Sequence, residues 1–294
     1  MARAILAFLV TFLVGCADLK AVREYGALGK GVAASFPPLV EESTLRCREI
    51  FEYSDIASRR YDPRKSSDEG KAACEQNVDA SKAMVELSNL VGNYHDALIK
   101  IAGGDVAGSL GGDYTRLGAS IKGLKIDGVA VAPAAKVDAI AAVGAWVTKV
   151  ALANWQHREI TGALSIHREV GDIADILVVY VERNYGAYST QALRQADEAQ
   201  RAIAAREAQC TIATPCSDPY GANLLRRELY QRAEMLKERQ QLVTVYRSAT
   251  DKMKVALATL AASGGELKSR EELRSLWDLS VEVRDLYKKV AAAY

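Results

Sequence analysis

The placement of proline constrains this chain more than any other feature. All six prolines fall at Pro37, Pro38, Pro63, Pro133, Pro215 and Pro219, so residues 134–214 and 220–294 contain none. A proline inside a helix costs about 3 kcal/mol through its missing N–H and its clash with the preceding turn, and long runs without it suit helices. The apolar spacing within these runs agrees. Ile166, Val170, Ile173, Leu177 and Tyr180 recur at alternating fours and threes, as do Leu242, Tyr246, Ala249, Met253, Leu257 and Leu260. Leu273, Leu276, Ser280, Val283, Tyr287 and Val290 continue the pattern at the C-terminal end. Such spacing is the seam of an amphipathic helix in a bundle or coiled coil.

Start and stop signals bound these helices. Asp218 before Pro219 reads as an N-cap and first helical residue, Gly264 can close the same helix in the left-handed conformation, and Ser269 with Glu272 forms a capping box for the next one. The result is a C-terminal hairpin of roughly 43 and 24 residues per helix, the longer about 65 Å at 1.5 Å per residue. Upstream, one helix is expected from Pro38 to Ser58, a polar loop over RRYDPRKSSDEG, and a second helix from Lys71 to Ala102. Residues 134–209 are expected to form two helices broken at Gly162, with Gly186 the next choice, because an unbroken one would exceed about 100 Å. Residues 103–133 are a Gly-rich irregular connection in which Ile126, Val129 and Val131 suit a short strand or an extended cover. The expected fold is all-α, an elongated antiparallel helical bundle with long coiled-coil-like helices, in which segments 37–102 and 134–294 form a single elongated domain.

The N-terminus points to a compartment. Arg3 precedes an apolar run from Ala4 to Val14, too short for the ~20 residues that cross a bilayer, and small residues follow it. Leu13, Val14, Gly15 and Cys16 resemble the lipobox of bacterial lipoproteins. That resemblance covers the first sixteen residues and implies cleavage of a signal peptide at residues 1–15, acylation of Cys16, and a lipid-anchored segment over 16–36 on the periplasmic face of the envelope. In that pattern an aspartate directly after the cysteine retains a protein in the inner membrane. Here Ala17 takes that position, which favours the outer membrane.

With Cys16 set aside, four of the five cysteines remain. Four cysteines allow three pairings, and an oxidising periplasm favours the local ones, Cys47 with Cys74 and Cys210 with Cys216, each clamping a turn between helices. Free thiols are the alternative; a metal site would need a closer ligand spacing than CTIATPC provides. Loss of residues 1–15 removes Arg3 and no acid, which brings the 38 basic residues level with the 37 acidic ones. The mature chain is formally neutral and lacks the basic excess that a nucleic-acid partner demands.

No motif defines a reaction, so no catalytic residue, metal ligand or cofactor is assigned. His157 and His167, each in an HRE triplet, would lie about 80° and ~15 Å apart on one continuous helix, too far for a shared ion. A break at Gly162 would permit an enzyme reading through His157, Glu159 and His167. The glycine cluster that includes Gly104, Gly108 and Gly111 lacks the Lys-Ser or Lys-Thr of a phosphate loop. Together with Tyr180, Tyr185 and Tyr188, whose rings carry a polar tip suited to a half-exposed site, it is the candidate partner-binding surface. The expected role is a membrane-anchored binding or scaffold module with an envelope protein as partner; variants are an immunity or exclusion lipoprotein that captures a toxin or secretion component, and a structural spacer. Intact mass is expected to show acyl chains on Cys16, and Cys16→Ser is expected to release the protein from the membrane fraction; a full-length chain retaining Met1 would refute the processing.

Overall fold

The computed structural model describes residues 20–75, 78–103, 114, 116–126, 128–150, 156–265, 267 and 269–293. The fold is all-α. Helices α1 (residues 20–34) and α2 (Phe36–Ala57) are nearly continuous and kink at Ser35. The kink has a local cause in Pro37 and Pro38 at the start of α2. Pro37 has no N–H to offer the Ala33 carbonyl one turn back, and Ser88 Oγ donates to that carbonyl instead at 2.8 Å.

Helix α3 (Pro63–Glu75) packs back on α2, to which the Cys47–Cys74 disulfide joins it. Residues 63–70 were expected to lie in a polar loop and residues 71–75 to open the helix that in fact begins at Val78. The start signal is the Asp62–Pro63 pair, since Asp62 Oδ1 accepts from the backbone N–H groups of Arg64 and Lys65, both at 2.9 Å. Helix α4 (Val78–Gly103) then runs antiparallel to α1. After α5 (Leu117–Lys122), a two-stranded antiparallel hairpin pairs β1 (Lys125–Ile126) with β2 (Val129–Ala130), turning at Gly128, whose φ is +77°. Val131, which follows, is buried.

Four helical segments follow, rather than two: α6 (Ala134–Val150), α7 (Gln156–Ser165), α8 (His167–Tyr180) and α9 (Ala187–Glu207). Gly162 lies inside α7, and Gly186 closes a π-helical turn, Val181–Gly186, that carries α8 into α9 without a break. Helix α10 (Pro219–Ala262) has 44 residues, about 66 Å. Asp218 caps it by accepting from Gly221 N at 2.8 Å, and Gly264 and Gly265 end it at φ +65° and +92°. The capping box of Ser269 and Glu272 opens α11 (Arg270–Ala293), with the Glu272 carboxylate accepting from Ser269 N at 2.8 Å and Ser269 Oγ from Glu272 N at 3.1 Å.

The large core draws on α1, α2, α4, α5, α6, α7, α8, α10 and α11, while a smaller core joins α2 and α9 to the first half of α10. The seam of α10 is buried as spaced, and so is that of α8 from Val170 to Tyr180, with Ile166 partly buried ahead of it. On α11 the buried edge is Leu276, Leu279, Val283, Leu286 and Val290, whereas Leu273 and Tyr287 are exposed. Of the expected seam, Leu273 therefore belongs to the outer face, while Tyr287 lies at the margin, where it meets Gly31 of α1.

Residues 20–34, expected to belong to the lipid-anchored segment, contribute Val22, Tyr25, Val32 and Ala33 to the large core. Close approach makes this possible. A Cβ at Gly26 would lie 2.8 Å from Ile99 Cγ1, and one at Gly29 would fall 2.3 Å from His95 Cε1, far inside van der Waals contact with the imidazole ring. Gly29→Ala is therefore expected to lift α1 from α4 and to cost about 1–3 kcal/mol in denaturant unfolding. Gly123→Ala, where an added Cβ meets nothing within 4 Å, is expected to leave stability unchanged.

Candidate functional site

Of the sequence-derived candidates for a partner surface, the structure describes Tyr180, Tyr185 and Tyr188. Cys16, Gly104, Gly108 and Gly111 lie outside the described residues. Tyr180 and Tyr185 are buried, with the Tyr180 hydroxyl 2.9 Å from Ser81 Oγ and the Tyr185 hydroxyl donating to the Arg239 carbonyl at 3.1 Å. Their polar tips are satisfied inside the bundle, which corrects the reading of these two as a half-exposed partner surface. Tyr188 is half-buried against the smaller core.

Glu159 and His167 each have a partner of their own. Glu159 is buried, 3.3 Å from Lys149 Nζ, while His167 Nδ1 lies 3.0 Å from the Leu164 carbonyl. The side chain of His157 lies outside the described residues. Among the described residues no three His, Cys, Asp or Glu side chains group to hold a metal. No helix among them is long and apolar enough to cross a membrane.

Two polar arrangements escaped the sequence reading because each resembles something ordinary there. The first is a layer of buried charge between the two cores. On α2 the Arg46 guanidinium bridges Glu42 and Glu49 at spacings of four and three, with Nε 2.8 Å from Glu42 Oε1. From α10, Arg239 also reaches Glu42, and Arg232 lies 3.3 Å from Glu49 while holding Glu228 at 2.9 Å. The π turn completes the layer, since Asn184 Oδ1 accepts from Ser43 Oγ at 2.9 Å. Burial pushes the Glu49 carboxyl above its usual range against the pull of Arg46 and Arg232. Burial and the Glu42 charge push the Tyr185 hydroxyl up to about 12. Every carboxylate of the layer is engaged by a guanidinium. The arrangement thus acts as a structural lock, since an unpaired charge at this depth would be strongly destabilising.

The second is His95, buried between Tyr25 and Tyr94 with ring centroids at 5.2 and 5.1 Å, where neither imidazole nitrogen has a hydrogen-bond partner among the described residues. Desolvation holds its pKa down at about 3, so the ring is neutral.

The exposed counterpart is the tip where α9 turns into α10. The Cys210–Cys216 disulfide closes the loop, Thr211 N donates to the Thr214 carbonyl at 3.0 Å, and Thr214 N donates to Thr211 Oγ1 at 3.0 Å. Arg226 pairs with Glu207 across the base at 2.7 Å, and Arg206 donates to the Ile56 carbonyl at 3.2 Å. This fastened loop carries Ile212 wholly in solvent, at 105% relative exposure, beside Tyr220 at 87% and Leu224 at 69%, which stand one turn apart on α10. Apolar groups held rigid in water have no folding role there and suit a protein contact.

The tip also has a defined place in the molecule. The opposite end of α10 closes at Gly265, where a Cβ would lie 3.6 Å from both Val22 Cγ2 and Leu164 Cδ1. The first turn of α1 and the tip are thus separated by the length of α10. Comparison with protein-family models, curated proteins and solved structures finds no match to this chain.

His95 makes stability depend on pH. Its folded pKa of about 3 lies below the 6.5 of a free imidazole, so the stability it permits is complete above pH 6.5 and declines as pH falls toward 3. The slope from this group is about 1.4 kcal/mol per pH unit. Urea unfolding at several pH values in this window is expected to show a shallower slope for His95→Phe than for the native chain.

Proposed function

We propose that this chain is a lipid-tethered helical binding module of the bacterial envelope, facing the periplasm, whose protein contact is the Cys210–Cys216 tip. The observation that carries the reading is the full exposure of Ile212 on a loop closed by a disulfide and by the Thr211–Thr214 hydrogen bonds. Pre-ordering of such a loop lowers the entropy lost on binding. The lipobox supports a tether at Cys16, and the start of α1 at the far end of α10 separates that tether from the tip by about 66 Å of helix. The two disulfides fit an oxidising compartment. The enzyme reading through His157, Glu159 and His167 is disfavoured, because the Glu159 carboxylate is buried against Lys149.

A photo-crosslinking residue placed at position 212 in cells is expected to trap a discrete protein adduct. The same residue at the exposed position 255 of α10, on the body of the bundle, is expected to trap none. Leu224→Asp is expected to abolish the adduct without altering helicity or Tm. Equal adducts from both positions, or insensitivity to Leu224→Asp, would remove the tip from the contact.

A further inference from the structure

Helix α11 is apolar on two faces, and only one of them packs. Its inner edge is buried against the bundle, while Leu273, Trp277 and Val281 project outward at intervals of four, with Trp277 at 64% exposure. Arg270, Arg274, Arg284 and Lys288 fall on the same outer face, which they share at helical spacings of three and four, and all four are exposed. Among the described residues no ion pair engages any of these four cations. The acids of the helix are turned aside: Asp278 pairs with Lys252 at 3.8 Å, Asp285 with Lys289 at 3.0 Å, and Glu272 serves in the capping box. Glu271 is exposed about 120° round from Trp277, and Glu282 is partly buried about 140° round from it. A solvent-facing surface on which indole and aliphatic groups alternate with arginine and lysine suits a lipid–water interface, where the long cationic side chains reach the phosphates and the apolar groups enter the headgroup layer.

The position of the chain's entry supports the same occupant. Helix α1 runs beside α11 in the same direction: Val22 meets the Gly265 turn that leads into α11, and Gly31 meets Val283 and Tyr287. The first described residue, Lys20, therefore lies toward the Arg270 end. Cys16 is four residues earlier, a span of at most about 14 Å.

We infer that the outer face of α11 lies on an anionic phospholipid surface, so that the bundle reclines along the membrane instead of standing on its tether. The inference rests on the tethered reading for the identity of the membrane, but the face itself is testable without the lipid. Arginine guanidinium groups meet lipid phosphates, Trp277 inserts at the headgroup level, and the long axis of α10 follows the bilayer plane.

The test uses the full mature chain carrying Cys16→Ser, which has no acyl group, and vesicles of phosphatidylcholine with or without phosphatidylglycerol. The expected result is co-sedimentation with the phosphatidylglycerol vesicles only, weakened by salt, with a blue shift in fluorescence that Trp277→Phe removes. Arg270→Gln/Arg274→Gln is expected to lower partitioning by about fivefold per arginine. Lys65→Gln/Lys71→Gln on α3 is expected to leave it unchanged. Absence of binding, equal binding to neutral vesicles, or a dimer in solution that Trp277→Ala dissolves would each overturn the inference. If the native chain proves acylated at Cys16 while the Cys16→Ser chain ignores vesicles, the tether stands and the membrane-resting face falls.

Discussion

The geometry of this molecule depends on one uninterrupted helix. Over 44 residues α10 contains no proline after its first position, and its buried edge serves in turn the smaller core through Leu229 and Leu236 and the large core from Leu242 to Leu260. Helices α8, α9 and α11 pack along it. Each fully buried leucine contributes about 1.5–3 kcal/mol relative to exposure, so the edge of α10 is a main source of favourable free energy for several partners at once. A break within it would separate the cores and cancel the fixed distance between the first turn of α1 and the disulfide-clamped tip.

Long apolar edges offer more than one register, since a slide by one turn exchanges one apolar group for another. The charge layer answers this problem. Glu42, Arg46 and Glu49 meet Arg232 and Arg239 in one alignment of α2 against α10, and a shift by a turn would leave buried charges unpaired. The π turn at Val181–Gly186 belongs to the same level, because its wider turn brings Asn184 to Ser43 and Tyr185 to the Arg239 carbonyl. The two cores are in this way held in step by polar contacts neither core could provide.

Much of this was legible from local chemistry. The expected α10 and α11 match in length because their ends are written in short signals, Asp218–Pro219, Gly264 and the Ser269–Glu272 pair, that act without tertiary help. What was missed required tertiary information. Glu42, Arg46 and Glu49 have the three- and four-residue spacing of a solvated helix face, and only the approach of α10 shows that they are buried. The tyrosines near Gly186 have a polar tip that a surface or a satisfied interior can equally accommodate. Helix α11 misled by being apolar twice: a seam drawn through Leu273 mixes the packed edge with the outer face. Helix α3 buries little beyond Ser66, Gly70 and Cys74, so no hydrophobic period announced it, although its Asp62–Pro63 start repeats the signal at α10. The tip was anticipated only as a clamped turn; the exposure of Ile212 depends on what fails to cover it.

The approach of α1 to α4 through Gly26 and Gly29 has a mechanical consequence. A force applied at the N-terminal end of α1 and resisted at the far end of α10 acts along the axis of α1. Its contacts with Ile99, His95, Ser88 and Tyr287 are then loaded together, in shear, and cannot open one after another as a peeled strip would. The glycines that let α1 lie so close also make it a fastening whose strength is the sum of its contacts.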